Sequence, residues 1–509
     1  MTTARPDVVI LAAGEGTRMR SAVPKVLHTL GGRSMLGHAV AAANSLDPRR
    51  VALVVRHERD QVAAHARELD EAILVVDQDE IPGTGRAVAC ALAVLDGAAE
   101  AELAGAGGGR EVDGAVVVLA ADVPLLDGAT LAELLAAHSD DGNAVTVLTT
   151  VVPDPAGYGR IVRDPGTGQV ARIAEHEDAD PAEQEITEIN ASVYVFDAAV
   201  LRGALSRLGR NNAQGEVYLT DVVAIARAEG RAVRAVQVDD PVLVAGVNDR
   251  VQLAALRAEL NRRVVVEWML AGVTVMDPAT TWVDVGVELS RDVTLLPGTQ
   301  LQGTTKVGEG ATIGPDTTLT DVVVGDGAKV VRSNATSSVI GAGAVVGPFS
   351  YLRPGTVLGE GGKIGAFVET KNSTIGAHSK VPHLSYVGDA IVGEHSNIGA
   401  GTIFVNYDGV TKHHSEIGSY VRIGSDNALV APVRVGDGAY TGAGSVIRRD
   451  VPPGALGVNP AQQRNIERWV LRSRPGSAEA QVAAAALGEE EPPGEEVPVT
   501  TIDRSEEAQ

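Results

Sequence analysis

The 509 residues include a single cysteine, Cys90, which excludes an internal disulfide and a cysteine-based zinc site. Aromatic residues make up only 3% of the chain, so its cores must be aliphatic. Basic charge is also short, with 43 Lys and Arg against 66 Asp and Glu and a net charge of −23. Nonspecific binding to nucleic acid or to an anionic membrane needs a basic face, and this balance argues against both. Any phosphate ligand must then be held by local cations. No apolar run reaches the ~18 residues that span a bilayer, and the start, Met1 to Asp7, lacks an apolar signal segment. A cytoplasmic protein with no membrane partner is expected. The length is too great for one core, which points to two or three domains.

Glycine is abundant, at 58 residues against a usual ~7%. Much of the excess lies in a six-residue phrase, an aliphatic residue followed by Gly and four mixed residues. Val307-Gly308 is followed six residues later by Ile313-Gly314. The same step links Ile340-Gly341 to Val346-Gly347, Leu358-Gly359 to Ile364-Gly365, Val392-Gly393 to Ile398-Gly399 and Ile417-Gly418 to Ile423-Gly424. Helices and ordinary sheets do not repeat at six. The period predicts a parallel β-helix, with the aliphatic residue inward, Gly at the corner and eighteen residues per triangular coil. The hexapeptide kind winds left-handed, against the usual crossover rule.

Before the repeat, aliphatic runs at Val8 to Ala12, Val51 to Val55, Ala115 to Ala121 and Ala144 to Thr149 alternate with helical patterns. That is α/β, with a mostly parallel, Rossmann-like sheet. Gly105 to Gly109 reads as a surface insertion. Apolar residues at 253, 256, 260 and 264 keep helical spacing and predict a connecting helix. The expected divisions are a first domain at 1–247, a linker at 248–283, the β-helix at 284–450 and an extension at 451–475. The composition of 476–509 predicts a disordered acidic tail.

The first strand runs into Ala12-Ala13-Gly14-Glu15-Gly16-Thr17-Arg18, with Lys25 close behind. Backbone amides of such a loop can approach a phosphate, and two cations can neutralise the rest of its charge. The pattern fails the dinucleotide fingerprint at Met19 and lacks the P-loop Gly-Lys-Ser/Thr. An ordinary strand-to-helix turn remains the alternative for this segment alone.

Counting sixes from Gly341 gives Gly347, Arg353, Gly359, Gly365 and Lys371. Two corner positions hold cations, one coil apart, so Arg353 and Lys371 should stack on one edge about 4.8 Å apart. Two stacked cations repel unless an anion lies between them, and a sugar phosphate would serve. His383, Tyr386, Asn406, Tyr407 and Lys412 follow, the last three in a long interruption of the repeat.

The segment from Val8 through Lys25-Val26-Leu27 resembles the signature of the sugar-phosphate nucleotidylyltransferases. Gln78 to Thr84 resembles that family's base-reading loop, Ala121-Asp122-Val123-Pro124 its metal-binding strand end, and Tyr158-Gly159-Arg160 with Glu175 and Glu188-Ile189-Asn190 its sugar pocket. Asn211 to Asp221 and Gly246-Val247-Asn248 match as well. With the β-helix, residues 7 to 472 resemble the bacterial bifunctional uridylyltransferase and acetyltransferase enzymes of amino-sugar phosphates.

For the first domain, the resemblance implies binding of UTP and N-acetylglucosamine 1-phosphate by Leu11, Ala12, Ala13, Gly14, Gln78, Gly83, Thr84, Gly159, Glu175, Asn190 and Asn248. Arg18 and Lys25 would be catalytic, and Mg²⁺ would be held by Asp122 and Asn248. Beside the resemblance, Asp122 ends an apolar strand where α/β ligands bind, and a hard cation takes oxygen donors. Its alternative role is a helix N-cap.

For the β-helix, the resemblance implies that Arg353, Lys371, Tyr386 and Asn406 hold glucosamine 1-phosphate, with His383 as general base. Ala400, Asn406, Tyr407, Ser425 and Ala443 would line the acetyl-CoA site, and a homotrimer would share such sites between subunits. Where some relatives carry an Arg after the last strands, this chain has Val458-Asn459-Pro460, with Arg448 or Arg449 as substitutes. The sequence leaves two rivals. One is a monofunctional pyrophosphorylase with a regulatory β-helix, and the other is a non-catalytic assembly protein.

Overall fold

The computed structural model describes residues 5–103, 112–459 and 463–489. The Gly105 to Gly109 insertion lies outside them.

The aliphatic runs form Asp7–Leu11, Arg50–Val55, Ala115–Ala120 and Val145–Val151. Their side chains alternate between two faces, and both faces are covered. Val8 and Ile10 join a cluster with Leu36, Val40 and Leu131, whereas Val9 joins Val88, Leu95 and Leu201 on the other side. Across the sheet the order is Val233–Val238, Val145–Val151, Glu188–Asp197, Ala115–Ala120, Asp7–Leu11, Arg50–Val55, Leu74–Asp77. All neighbours on this path are parallel except Glu188–Asp197, which opposes both of its own. The pairing of Glu188–Asp197 shifts between Asn190 and Tyr194, with Ser192 at φ 57, a bulge at the carboxyl edge of the sheet.

A helix, Arg250–Leu270, connects the domains. The Asp249 side chain caps it by accepting from the amides of Val251 and Gln252. Leu253, Leu256 and Val265 are buried along it. Asn261 is buried too, donating to the Thr281 carbonyl at 2.8 Å and accepting from the Val283 amide at 2.9 Å. It therefore stitches the helix to the first coil. The Val285 amide donates to the Gly31 carbonyl at 3.0 Å, joining that coil to the α/β domain.

From there the chain winds as a left-handed parallel β-helix of three faces. Every aliphatic residue of the ten repeat phrases points inward, none more than 3% exposed. The glycines serve close approach. A Cβ on Gly359 would lie 2.6 Å from the Ala377 amide nitrogen of the next coil. Of the ten repeat glycines only Gly314 and Gly347 have positive φ, at 106 and 102, and elsewhere positive φ falls on other corner residues, among them Phe349, Phe367, His378 and His395.

The coils begin at Thr274–Val275 and end at Leu456–Gly457, wider than the expected 284–450. The first phrases, Thr274-Val275-Met276 and Trp282-Val283-Asp284, lack the glycine that marks the others, so the period is silent there. Nor is every coil eighteen residues. Lys329 pairs with Val345, and Asn397 pairs with Arg422 across an inserted loop.

The expected disorder from residue 476 is corrected for the described part of the tail. Ala478–Leu487 is helical, because Ser477 caps it, five of its ten residues between 478 and 487 are alanine besides Ala478, and Gly488 ends it at φ 67. Ala480 and Ala484 pack on Leu471 of the short helix Trp469–Ser473. Residues 490–509 lie outside the described residues. Among those described, no helix is long and apolar enough to cross a membrane.

Candidate active sites

Three parallel strands end side by side at the carboxyl edge of the α/β sheet, and the loops leaving them enclose a cavity of about 480 Å³. Leu11, Ala12, Ala13, Gly14, Lys25, Gln78, Gly83, Thr84 and Asp122 all line it. The Lys25 ammonium lies 2.5 Å from an Asp122 carboxylate oxygen and 3.1 Å from the Asn248 side-chain oxygen. Two hard oxygen donors thus face one point, which a cation already occupies in the form of Lys25. Asn248 is brought there because the Val247 amide donates to the Asp122 carbonyl at 2.9 Å. Arg18 is exposed on the 3₁₀ turn Thr17–Met19 and is not part of the cavity wall.

The loop at 78–84 is rigid for reasons that can be named. Gln78 donates through its side-chain nitrogen to the carbonyls of Ile81 at 2.9 Å and Gly83 at 3.2 Å. Gly83 sits at φ 118, and a Cβ there would lie 2.3 Å from the Val217 carbonyl oxygen, so only glycine fits. Thr84 accepts from the Leu219 amide at 3.1 Å.

Gly159, Glu175 and Asn190 converge beside this cavity without lining it. A Cβ on Gly159 would touch Glu175 at 3.4 Å and Asn190 at 3.5 Å. Burial pushes the Glu175 carboxyl above its usual range, opposed by the Thr220 hydroxyl that donates to it at 2.8 Å. Asn190 is already committed, donating to the Tyr194 hydroxyl at 2.6 Å and accepting from the Ser192 amide at 3.1 Å. Sequence reasoning missed Arg56, His57 and Ser192, which also line the cavity, together with Glu216 of the Asn211 to Asp221 segment. Arg56 and His57 directly follow the strand Arg50–Val55, so the rule that ligands gather at carboxyl strand ends would have found them.

On the β-helix the counted register holds. Tyr351 pairs with Glu369 and Leu352 with Thr370, and the Arg353 amide donates to the Thr370 carbonyl at 2.9 Å, which sets Arg353 beside Lys371 on one edge. Gly388 continues the column. The charges differ from a simple stack. Arg353 is paired with Glu369 at 2.9 Å, and the Lys371 ammonium stands beside Lys412, which it pushes below its ordinary pKa.

A second column could not be counted from the sequence. Lys380, Asn397, Arg422 and Tyr440 are successive register partners. Three residues further on, the same register aligns His383, Ala400, Ser425 and Ala443 on one edge. His383 is exposed, and its carbonyl accepts from the Gly401 amide at 3.3 Å. Asn406 and Tyr407 open the inserted loop, which closes on itself through Tyr407 to the Gly409 carbonyl at 2.7 Å and Asp408 to His413 at 2.7 Å. Arg448, Arg449, Val458 and Asn459 line a cavity of about 630 Å³ at the end of the prism.

A nucleotide-sized cavity at the carboxyl edge of a mostly parallel sheet, joined to a hexapeptide prism bearing a histidine column and a cation column, defines a nucleotidyltransferase fused to an acyltransferase. The MobA-like NTP transferase domain matches residues 8–181, and the bacterial transferase hexapeptide (six repeats) matches 337–372. The chain belongs to the family of the bifunctional GlmU proteins. It is 60% identical over 485 residues to that protein of Rhodococcus jostii (strain RHA1), covering 94% of each chain. It is 59% identical over 479 residues to that of Paenarthrobacter aurescens (strain TC1), again 94% of each. For Mycobacterium sp. (strain KMS) the identity is 58% over 494 residues and 96% of each chain. A solved UDP-glucose pyrophosphorylase complexed with UDP-glucose covers 51% of this chain and 99% of its own, at 15% identity and a TM-score of 0.40, and carries no argument. The chain is an enzyme that makes UDP-N-acetylglucosamine in two steps, acetyl transfer from acetyl-CoA to glucosamine 1-phosphate and uridylyl transfer from UTP to the product.

Proposed function

We propose that the steps divide between the two sites, with acetyl transfer on the β-helix and uridylyl transfer in the α/β domain, over the domain divisions described above. The observation that carries this is the pair of separate, chemically distinct constellations, Lys25 with Asp122 and Asn248, and the column of His383.

In the first step, His383 takes a proton from the amine of glucosamine 1-phosphate. The freed nitrogen attacks the thioester carbonyl, a C–N bond forms, the C–S bond breaks, and coenzyme A leaves and is protonated. Arg353, Lys371 and Tyr386 hold the sugar phosphate, with Lys412 adding a third cation. Asn406 and Tyr407 border both substrates, and Ala400, Ser425 and Ala443 present a column of small side chains along which acetyl-CoA can lie. Arg448 or Arg449 receives its phosphates. No cysteine is near, so transfer is direct.

In the second step, a phosphate oxygen of N-acetylglucosamine 1-phosphate attacks the α-phosphorus of UTP in line, and pyrophosphate leaves. Lys25 and Arg18 neutralise the growing charge. Asp122 and Asn248 fit Mg²⁺, because a carboxylate and an amide oxygen already converge on a cation at 2.5 and 3.1 Å. When bound, the metal supplies charge stabilisation at the phosphates. Glu175 accepts from a sugar hydroxyl, Asn190 shapes that pocket through its backbone, and Gln78, Gly83 and Thr84 read the base.

A homotrimer is supported by a ridge of exposed apolar rings beside His383. Phe349 and Phe367 stack at 5.4 Å and Leu384 extends them, each more than half exposed in the single chain. A sedimentation mass of one chain would contradict it.

Replacing Arg353 or Lys371 with Ala is expected to raise the KM for glucosamine 1-phosphate about tenfold, as for loss of a charge-assisted contact, and to leave the KM for UTP unchanged. Lys371→Ala should be the costlier, since Glu369 already pairs Arg353. The double variant should lose less than the product of the two effects, because both cations face one anion. Full additivity would show that they do not share it.

A further inference from the structure

We propose that Asp389 is a positioning residue for acetyl transfer, which holds the Asn406 amide by its nitrogen so that its oxygen faces the substrate, and offsets one of the two lysine charges that receive the phosphate. The proposal rests on the reading of the β-helix site given above and deepens it.

Asp389 occupies the corner that follows the Gly388 of the cation column, at φ 50, directly after Asn372 at φ 44 on the preceding coil. It is a carboxylate only 8% exposed. One oxygen accepts from the Asn372 side-chain nitrogen at 2.8 Å and the other from the Asn406 side-chain nitrogen at 2.6 Å. The Asn406 nitrogen also lies 3.3 Å from the Tyr386 hydroxyl. An ionised carboxylate can only accept, so it dictates which end of the Asn406 amide turns towards it. Both N–H groups are then committed inward, and the amide oxygen remains as an acceptor for an amine or hydroxyl donor. The backbone of Asn406 is fixed as well, since its carbonyl accepts from the His413 amide at 2.8 Å.

Gly388 makes this convergence possible. A Cβ there would lie 2.3 Å from the Tyr386 hydroxyl oxygen and 2.8 Å from the Asn406 nitrogen. The column that carries Arg353 and Lys371 therefore narrows to a bare backbone at the one place where Tyr386 and Asn406 must cross it. Burial pushes the Asp389 carboxyl up, but the bonds from Asn372 and Asn406 and the charges of Lys371 and Lys412 outweigh it, and the group stays below its usual range. Lys371 is the register partner of Gly388, the chain neighbour of Asp389, so the buried negative charge sits one residue from the cation column. The site keeps enough positive charge to attract a phosphate without holding it at full strength.

These two roles pull the kinetic constants in opposite directions, which a merely structural residue would not do. Asp389→Asn keeps the shape and removes the charge. With two donors facing it and one acceptor to offer, it frees the Asn406 amide to turn. The kcat of acetyl transfer is expected to fall about tenfold or more, while the KM for glucosamine 1-phosphate falls or stays level and inorganic phosphate binds about threefold tighter by calorimetry. In an Asn406→Ala background the same change should cost no further kcat. Asn372→Ala, which leaves the charge and the Asn406 contact, should keep kcat within about twofold. An Asp389→Asn enzyme with unchanged kcat, or with a raised KM and weaker phosphate binding, overturns the proposal. Should that variant not fold, a structure of the wild type with glucosamine 1-phosphate decides. Asn406 nitrogen still on Asp389 supports the role, and Asn406 turned away from it overturns the role. A wild type that never acetylates would instead overturn the reading of the whole site.

Discussion

Asp122→Ala is expected to lower UTP-dependent release of pyrophosphate by ~100-fold or more, since a bound metal contributes several kcal/mol to stabilising transition-state charge. Release of coenzyme A from acetyl-CoA in the presence of glucosamine 1-phosphate should stay within about twofold, because distant sites act independently. The Lys25 ammonium rests between Asp122 and Asn248. Removing the carboxylate would delete a proposed metal ligand and also release the lysine from its ion pair. Tyr158 gives an independent readout, because burial and then the Asp122 charge raise its hydroxyl above the usual range. Without that charge its phenol should titrate lower, with activity not involved. A folded variant in which both transfers collapse together would show that the sites are not separate.

His383→Ala should do the reverse, lowering acetyl transfer by the ~10²–10⁴-fold typical of a lost general base and sparing uridylyl transfer of supplied N-acetylglucosamine 1-phosphate. The imidazole follows Ala366 in the column that continues through Ala400, Ser425 and Ala443, and it is exposed on that edge. Its own hydrogen-bonding ties run through its backbone, so deletion of the ring should leave the coil intact. Acetyl transfer at the wild-type rate in this variant would reduce His383 to a corner residue.

The β-helix was legible because its signal is repetitive. An inward aliphatic residue and a glycine forced by the next coil recur until chance is excluded, and the same count sets Arg353 over Lys371. The count failed where the repeat is broken. The loop that carries Asn406, Tyr407 and Lys412 stretches one coil from Asn397 to Arg422, so the alignment of His383 with Ser425 and Ala443 is visible only in the pairing. In the α/β domain, strands and the loops that follow them could be read, and so could half of the cavity wall. Ser192 could not, because it reaches the cavity through a bulge, and bulges leave no pattern in a strand. Asp389 was overlooked for another reason. Its importance lies in which side chains meet at one corner, and Asn372 and Asn406 are far from it in sequence. The tail misled because an alanine-rich segment beside acidic residues has the composition of disorder, yet two small helices suffice to bury Leu471.

The most direct measurement combines purified protein with glucosamine 1-phosphate, acetyl-CoA, UTP and Mg²⁺, and follows coenzyme A, pyrophosphate and nucleotide sugar together. The account predicts UDP-N-acetylglucosamine, with one coenzyme A and one pyrophosphate released for each, and with coenzyme A appearing first. Leaving out acetyl-CoA should suppress pyrophosphate as well. Full release of pyrophosphate from glucosamine 1-phosphate and UTP alone, giving a nucleotide sugar without coenzyme A, would contradict it.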